Sequence, residues 1–143
     1  MKIIESKFSN QILKFVENKL GNIFFFNHIA VVELHEGVHF DIKNASLIID
    51  ELTSYFGNSK PFGVVANRIN SYSINLIETP LIKEKAKNFF AYGVVGHDLA
   101  SKMNAEIENK FCVSEKIDFD NLNEAIKIVY NRVINSGLFR QAK

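Results

Sequence analysis

The chain has 143 residues, of which 47% are hydrophobic, and a chain of this size is expected to form one domain with its own core. Seventeen basic and sixteen acidic side chains leave a net charge of +1, which excludes a broad electrostatic attraction to nucleic acid or to an anionic membrane. No apolar run approaches the roughly 20 residues that span a bilayer, and the lone Cys112 excludes an internal disulfide, so a cytoplasmic protein without membrane insertion is predicted.

The first forty residues are predicted to form strands. The expected strands are 12–17, 23–26, 28–34 and the short 38–40. Gly21 and Asn22 tolerate positive φ angles and favour a turn between the first two strands. Apolar residues occupy both parities of the third strand until Glu33, as in a strand that is covered on both faces. A turn at Glu36-Gly37 then brings back the fourth strand, which completes an antiparallel meander.

From Asn44 onward, helical and strand patterns alternate. The expected elements are helix 45–56, strand 61–66, a helix from Thr79-Pro80, strand 88–95, a helix from Asp98 to Phe111, strand 112–117 and a final helix from Asp120 or Asn121. Asn44 is expected to cap the first helix and Gly57 to end it. Strands joined by helices favour right-handed crossovers and a parallel sheet. Residues 1–143 are therefore predicted to be a single α/β domain whose mixed sheet joins an N-terminal antiparallel meander to parallel strands with crossover helices.

Two polar loops, residues 67–73 and 96–98, follow predicted strands of this sheet. Ligands of such sheets bind at the carboxyl ends of the parallel strands, and neighbouring strands would bring both loops together. The candidate partner- or ligand-binding residues are Asn67, Arg68, Asn70, Ser71, Tyr72, Ser73 and His97. They offer a cation, amides, hydroxyls and an imidazole. The alternative is that the Asn and Ser residues only form turns and that Arg68 pairs with a surface acid.

A histidine cluster invites a metal site, because His28, His35 and His39 lie within twelve residues. On a strand, however, His28 and His35 have opposite parity and point to opposite faces. The turn at Glu36-Gly37 leaves at most two imidazoles able to meet, which is too few for a typical zinc site. No metal site is predicted.

The sequence offers little support for catalysis or for a cofactor. Cys112 has no neighbour in sequence that would lower its pKa, and Ser71 and Ser73 lack the flanking glycines of a nucleophile elbow. The seven glycines are scattered and form no phosphate-binding loop, so no cofactor is predicted. An enzyme that uses His97 with Ser71 or Ser73 is the least favoured hypothesis.

The order of these elements resembles the STAS-type domains, which are similar to sporulation anti-sigma-factor antagonists. The resemblance covers residues 28–136 and includes the helix "NASLIIDELTSYFG", the strand and loop "PFGVVANRINSYSIN" and the closing "NKFCVSEKIDFDNLNEAIKIV". The last of these is similar to the final strand and helix of the family. The resemblance implies a small bacterial α/β module that binds partners without catalysis.

The loop "NRINSYS" departs from the family pattern. In the antagonists, the loop after the central strand carries an Asp-Ser-x-Gly motif whose serine is phosphorylated by a partner kinase. Here no Asp precedes Ser71 and no Gly follows it. The chain is therefore more similar to the stand-alone members than to the sigma-factor regulators, and a phosphoserine switch is not implied.

Two functions are kept as hypotheses. The first is a non-catalytic protein-interaction module that uses the loop 67–73 and the predicted helix around 99–110 as its contact face. The second is a carrier of a small ligand or lipid, whose cavity would be lined by phenylalanines. The residues of this cavity would be Phe24, Phe25, Phe26, Phe89 and Phe90. The meander also leaves an edge strand, which is compatible with a homodimer.

Overall fold

A computed structural model describes residues 1–57, 59–70, 72–78, 81, 84–86, 88–96, 116–119 and 121–136. The strands are β1 (Lys14–Asn18), β2 (Gly21–Phe25), β3 (Ile29–Leu34), β4 (His39–Phe40), β5 (Phe62–Arg68), β6 (Ser73–Ile74), β7 (Phe89–Gly96) and β8 (Lys116–Phe119). Two α-helices have described bounds, α1 (Ile42–Phe56) and α2 (Leu122–Ile134). Short 3₁₀ helices cover Ile3–Glu5, Ser9–Gln11 and Leu76–Glu78.

Six strands form the main sheet in the order β1-β2-β3-β5-β7-β8. The first three pair antiparallel, whereas β3, β5, β7 and β8 run parallel to one another. This arrangement confirms the predicted α/β class with an antiparallel meander followed by parallel strands.

Two apolar layers cover the opposite faces of the sheet. The α1-side layer includes Ile23, Phe25, Ala30, Val32, Ile48, Ile49, Leu52, Phe62 and Val64. The α2-side layer includes Ile3, Phe24, Val31, Val65, Ala91, Ala125, Val129 and Val133. Every residue of β3 is buried, because each parity of this strand packs under a different layer. No helix within the described residues is both long and apolar enough to cross a bilayer.

The fourth strand of the predicted meander does not join the main sheet. β4 pairs in parallel with β6 and forms a separate two-stranded sheet, with His39 opposite Ser73 and Phe40 opposite Ile74. The prediction that this strand extends the meander was therefore wrong. Its partner lies 34 residues further along the chain, and a two-residue strand carries no periodicity that could indicate such a pairing.

The helix α1 begins three residues before the predicted start. Its N-cap is Asp41, whose side chain accepts a hydrogen bond from the Asn44 amide at 3.0 Å. The Asn44 side chain in turn accepts from the Asp41 amide at 2.9 Å, so the two residues form a capping box. The prediction of Asn44 as N-cap was wrong because both residues are of capping type. Gly57 ends the helix as predicted, with φ of 81°.

Three other boundaries bear on the candidate site. β5 continues through Asn67 and Arg68, so these two residues belong to the strand and not to the loop that follows it. The final helix is capped by Asn121, one of the two predicted caps. The predicted helix starts at Thr79-Pro80 and Asp98, with the strand residues 112–115, lie outside the described residues.

Candidate functional site

The polar segment 67–73 lies where β5 reaches the carboxyl edge of the sheet. On one side β5 pairs with β3, and on the other side Arg68 pairs with Gly96 at the end of β7. The two strands that precede the candidate loops are therefore neighbours, as the sequence interpretation required. His97 and Ser71 lie outside the described residues.

Arg68 holds the segment from inside. Its side chain is buried, with 2% of its surface exposed, and Nη2 donates a hydrogen bond to the Tyr72 carbonyl oxygen at 2.6 Å. The guanidinium carbon also lies 4.1 Å from the centroid of the Tyr72 ring, a cation–π contact between a planar cation and an aromatic face. Tyr72 itself is buried in the α1-side layer. Arg68 therefore binds its own loop.

Asn70 provides a second brace. Its Nδ2 donates to the Leu34 carbonyl oxygen at the end of β3, at a distance of 3.0 Å. This bond ties the segment to the neighbouring strand, while the Arg68 contact ties it to the strand from which it emerges. The loop is thus fixed at two points, by the side chains of Arg68 and Asn70.

The Asn67 side chain lies on the face of the sheet opposite to that of Arg68, because the side chains of successive strand residues alternate between the two faces. Its Nδ2 donates to Glu33 Oε2 at 2.7 Å and to the Met1 carbonyl oxygen at 2.8 Å. Glu33 Oε2 also accepts from the Ile3 amide at 2.7 Å. Both side chains are almost fully buried. This pairing was not predicted, although the sequence carries one signal of it: Glu33 is the charged residue within an otherwise apolar strand.

The exposed part of the site is the small β4–β6 sheet. His39 Nδ1 and Ser73 Oγ are 2.7 Å apart, and both residues are exposed. The candidate residues of the described part of the chain thus divide by exposure. Asn67, Arg68 and Tyr72 are buried, Asn70 is half-buried and Ser73 is exposed.

Neither the histidines nor the acidic residues of the described part gather into a group of three or more that could hold a metal ion. His28 has φ of 68°, and its ring lies 5.8 Å from that of Tyr130. Burial, assisted by the charge of Lys60, lowers the pKa of His28 below its ordinary value. Its imidazole is thereby held neutral over a wider pH range.

The five phenylalanines of the carrier hypothesis do not line one cavity. Phe24 and Phe26 belong to the α2-side layer, Phe25 and Phe89 pack on the α1 side, and Phe90 is 40% exposed. An open cavity of about 620 Å³ lies elsewhere and is lined by Ile42, Leu81, Glu84 and Lys85. Four of the five phenylalanines therefore pack in the two layers of the core, and Phe90 does not.

The comparison with known proteins concerns the fold. No protein-family model matches the chain. No curated protein matches it either. One similar solved structure is a protein of the DUF3478 family from Shewanella loihica PV-4. It is 13% identical, the match covers 81% of this chain and 90% of that one, and the TM-score is 0.51. That protein is described as uncharacterized and as having a SpoIIAA-like fold.

This chain has a SpoIIAA-like fold. The predicted resemblance to STAS-type domains is confirmed at the level of the fold. In this chain the segment 67–73 comprises the end of β5, the second of the parallel strands, and the residues that follow it, at the sheet edge where α/β proteins bind their ligands. At 13% identity, the similarity carries no activity from one protein to the other.

Proposed function

We propose that residues 1–143 act as a single non-catalytic, cytoplasmic protein-interaction module, and that a partner protein contacts the outer face of residues 70–73 together with β4. The observation that carries this proposal is the bracing of the segment from inside. Arg68 holds the Tyr72 carbonyl and ring, and Asn70 holds the end of β3.

A loop fixed in this way binds at a lower entropic cost, because its shape does not have to be ordered when the partner arrives. The outer face presents the His39 ring and the Ser73 hydroxyl, both exposed and already hydrogen-bonded to each other. Imidazole and hydroxyl groups can donate or accept hydrogen bonds, which suits the polar rim of a protein interface. The predicted helix around 99–110, the other part of the expected contact face, lies outside the described residues.

The carrier hypothesis receives no comparable support. Its phenylalanines lie on both faces of the sheet, and the cavity of about 620 Å³ is wide open and lined by two charged side chains. An enclosed apolar pocket is the usual form of a site for a small apolar ligand. We therefore favour the interaction module.

The test is a matched pair of lysine substitutions. Ser73→Lys places a long cation on the proposed surface, whereas Asn131→Lys places the same side chain at an exposed position of α2, on the other face of the sheet. Both should leave the free energy of unfolding within about 0.5 kcal/mol of the wild type. We expect Ser73→Lys to weaken partner binding at least about tenfold, since a central clash costs more than 1.4 kcal/mol.

The measurement has two steps. Quantitative affinity capture from the native lysate identifies proteins that wild type and Asn131→Lys retain and that Ser73→Lys loses, and calorimetry with the purified partner then gives the dissociation constants. If Ser73→Lys and Asn131→Lys retain the same partners with equal affinity, the proposed surface is not the binding site.

The edge strand β1 supports the expected homodimer as a separate proposal. Leu13 and Phe15 are 57% and 51% exposed, and Phe15 stacks on Phe24 of the next strand at 5.0 Å. The outer edge of β1 faces no other strand of the main sheet, and such an edge can pair with the edge of a second copy. Light scattering should show a dimer that Phe15→Lys dissociates and that the control Phe90→Lys, on the interior strand β7, leaves intact. A wild-type monomer at all concentrations would exclude it.

A further inference from the structure

Residues 1–6 form a strap across the α2-side face of the sheet. Ile3 is the buried residue of this N-terminal strap, with no exposed surface, and it packs in the same layer as Val129 and Val133. Its neighbour Ile4 is 58% exposed. The strap therefore places one aliphatic side chain into the core, although two consecutive isoleucines are available.

The sheet holds the backbone of the strap by a donor and an acceptor. Glu33 Oε2 accepts from the Ile3 amide at 2.7 Å, and Asn67 Nδ2 donates to the Met1 carbonyl oxygen at 2.8 Å. A third bond of 2.7 Å joins the two side chains to each other. The pair thus engages the N–H of one residue and the C=O of the residue two positions earlier. Contacts of this kind recognise a peptide backbone whatever its side chains.

The position of Glu33 and Asn67 in the sheet gives their contact with the strap a wider meaning. Glu33 and Asn67 are on adjacent parallel strands near their carboxyl ends, where α/β sheets bind ligands. Burying a carboxyl group and an amide on an otherwise apolar face is unfavourable unless they are hydrogen-bonded, and the strap backbone provides two of the bonds. The Ile3 side chain packs in the apolar α2-side layer, which covers the same face of the sheet.

We propose that Glu33 and Asn67 form a peptide-binding site that the strap of the same chain fills, and that accepts the strap of a second copy when its own strap detaches. The ligand is a short peptide with a backbone carbonyl, a backbone amide two residues later and an aliphatic side chain on the residue that bears this amide. Exchange of an identical segment between copies needs no new contact.

The far end of the strap has contacts of its own. Ser6 is buried, and its Oγ donates a hydrogen bond to the Ile3 carbonyl oxygen at 2.7 Å. Phe8, just beyond the strap, packs against the α2-side layer. Release of the strap therefore requires the Ile3 side chain to leave the core.

The two isoleucines provide the experiment, since they differ in burial and not in side chain. Ile3→Asp should release the strap, while Ile4→Asp should not. Amide hydrogen exchange on the full chain should accelerate at least about tenfold for residues 3–6 in Ile3→Asp and stay within about twofold of wild type in Ile4→Asp. Should Ile3→Asp fail to fold, Ile3→Ala serves the same comparison.

Binding in trans is then measured with a labelled peptide of residues 1–8 added to each full-length protein. The attached strap competes at an effective concentration in the millimolar range, so wild type and Ile4→Asp should bind the peptide at least about tenfold more weakly than Ile3→Asp or Ile3→Ala. A peptide N-methylated at the Ile3 nitrogen cannot donate to Glu33 and should lose this binding.

Three results would overturn the proposal. They are equal strap exchange in the Ile3 and Ile4 variants, equal peptide binding by wild type and the released variants, or undiminished binding of the N-methylated peptide. The last result would show that the peptide only covers apolar surface.

Discussion

Replacing Arg68 by alanine is expected to lower the free energy of unfolding by about 2–4 kcal/mol. The change removes the 2.6 Å hydrogen bond to the Tyr72 carbonyl, which leaves a buried acceptor without this donor at a cost of about 1–3 kcal/mol. It also removes the guanidinium from the Tyr72 ring, a contact worth roughly 0.5–2 kcal/mol. Urea denaturation followed by circular dichroism measures the loss.

Arg68→Lys is the matched variant. A lysine keeps the charge and one donor but not the planar stacking. Arg68→Lys is therefore expected to lose only about half as much free energy of unfolding as Arg68→Ala. Ser73→Ala, at an exposed position of the same segment, should change the stability by less than about 0.5 kcal/mol. If Arg68→Ala were as mild as Ser73→Ala, the bracing of the loop would be disproved. Because Arg68 is buried, its substitution reports on loop structure, and exposed positions such as Ser73 are better probes of binding.

Replacing Gly21 by alanine should be at least as damaging. Gly21 has φ of 155°, and an added Cβ would lie 2.5 Å from the Glu33 carbonyl oxygen and 2.6 Å from the Leu34 Cα. These are backbone atoms of the paired strand β3, so they cannot move aside without separating β2 from β3. We expect a loss of about 3 kcal/mol or more from strain and overpacking together.

Gly37→Ala separates the cost of backbone strain from the cost of overpacking. Gly37 also has a positive φ, of 78°, but an added Cβ meets no atom within 4 Å. It should therefore show the conformational cost alone, about 1 kcal/mol. Chemical denaturation of both variants under identical conditions measures the two losses in free energy of unfolding. Equal losses would refute the close approach of β2 to β3 at Gly21. Because Glu33 lies on β3, faster strap exchange in Gly21→Ala is expected as well.

The elements that could be predicted from the sequence are those in which local pattern and burial agree. β3 is apolar on both parities and is buried on both faces. In α2, the spacing of Leu122, Ala125, Ile126, Val129 and Val133 indicates one apolar face, and all five side chains are buried. Such patterns arise because the core requires them, so they can be read without knowing which elements pack together.

Asn67 and Arg68 show what local pattern cannot reveal. Polar residues after an apolar run are typical of a loop, yet both are buried in β5. Asn67 is satisfied by Glu33, 34 residues away, and by Met1, 66 residues away. Arg68 contacts Tyr72, four residues ahead, but only because the chain folds back. A buried polar residue depends on partners that the tertiary structure supplies.

The strap also has a consequence for synthesis of the chain. Asn67, whose side chain donates to the Met1 carbonyl oxygen, is added 66 residues after Met1, and at about 5–20 residues per second the ribosome needs roughly 3–13 s for this interval. During that time the Ile3 side chain has no core to enter. The nascent chain therefore carries an exposed hydrophobic segment, which chaperones can bind. The strap can form its bond with Asn67 only after β5 has emerged from the ribosome.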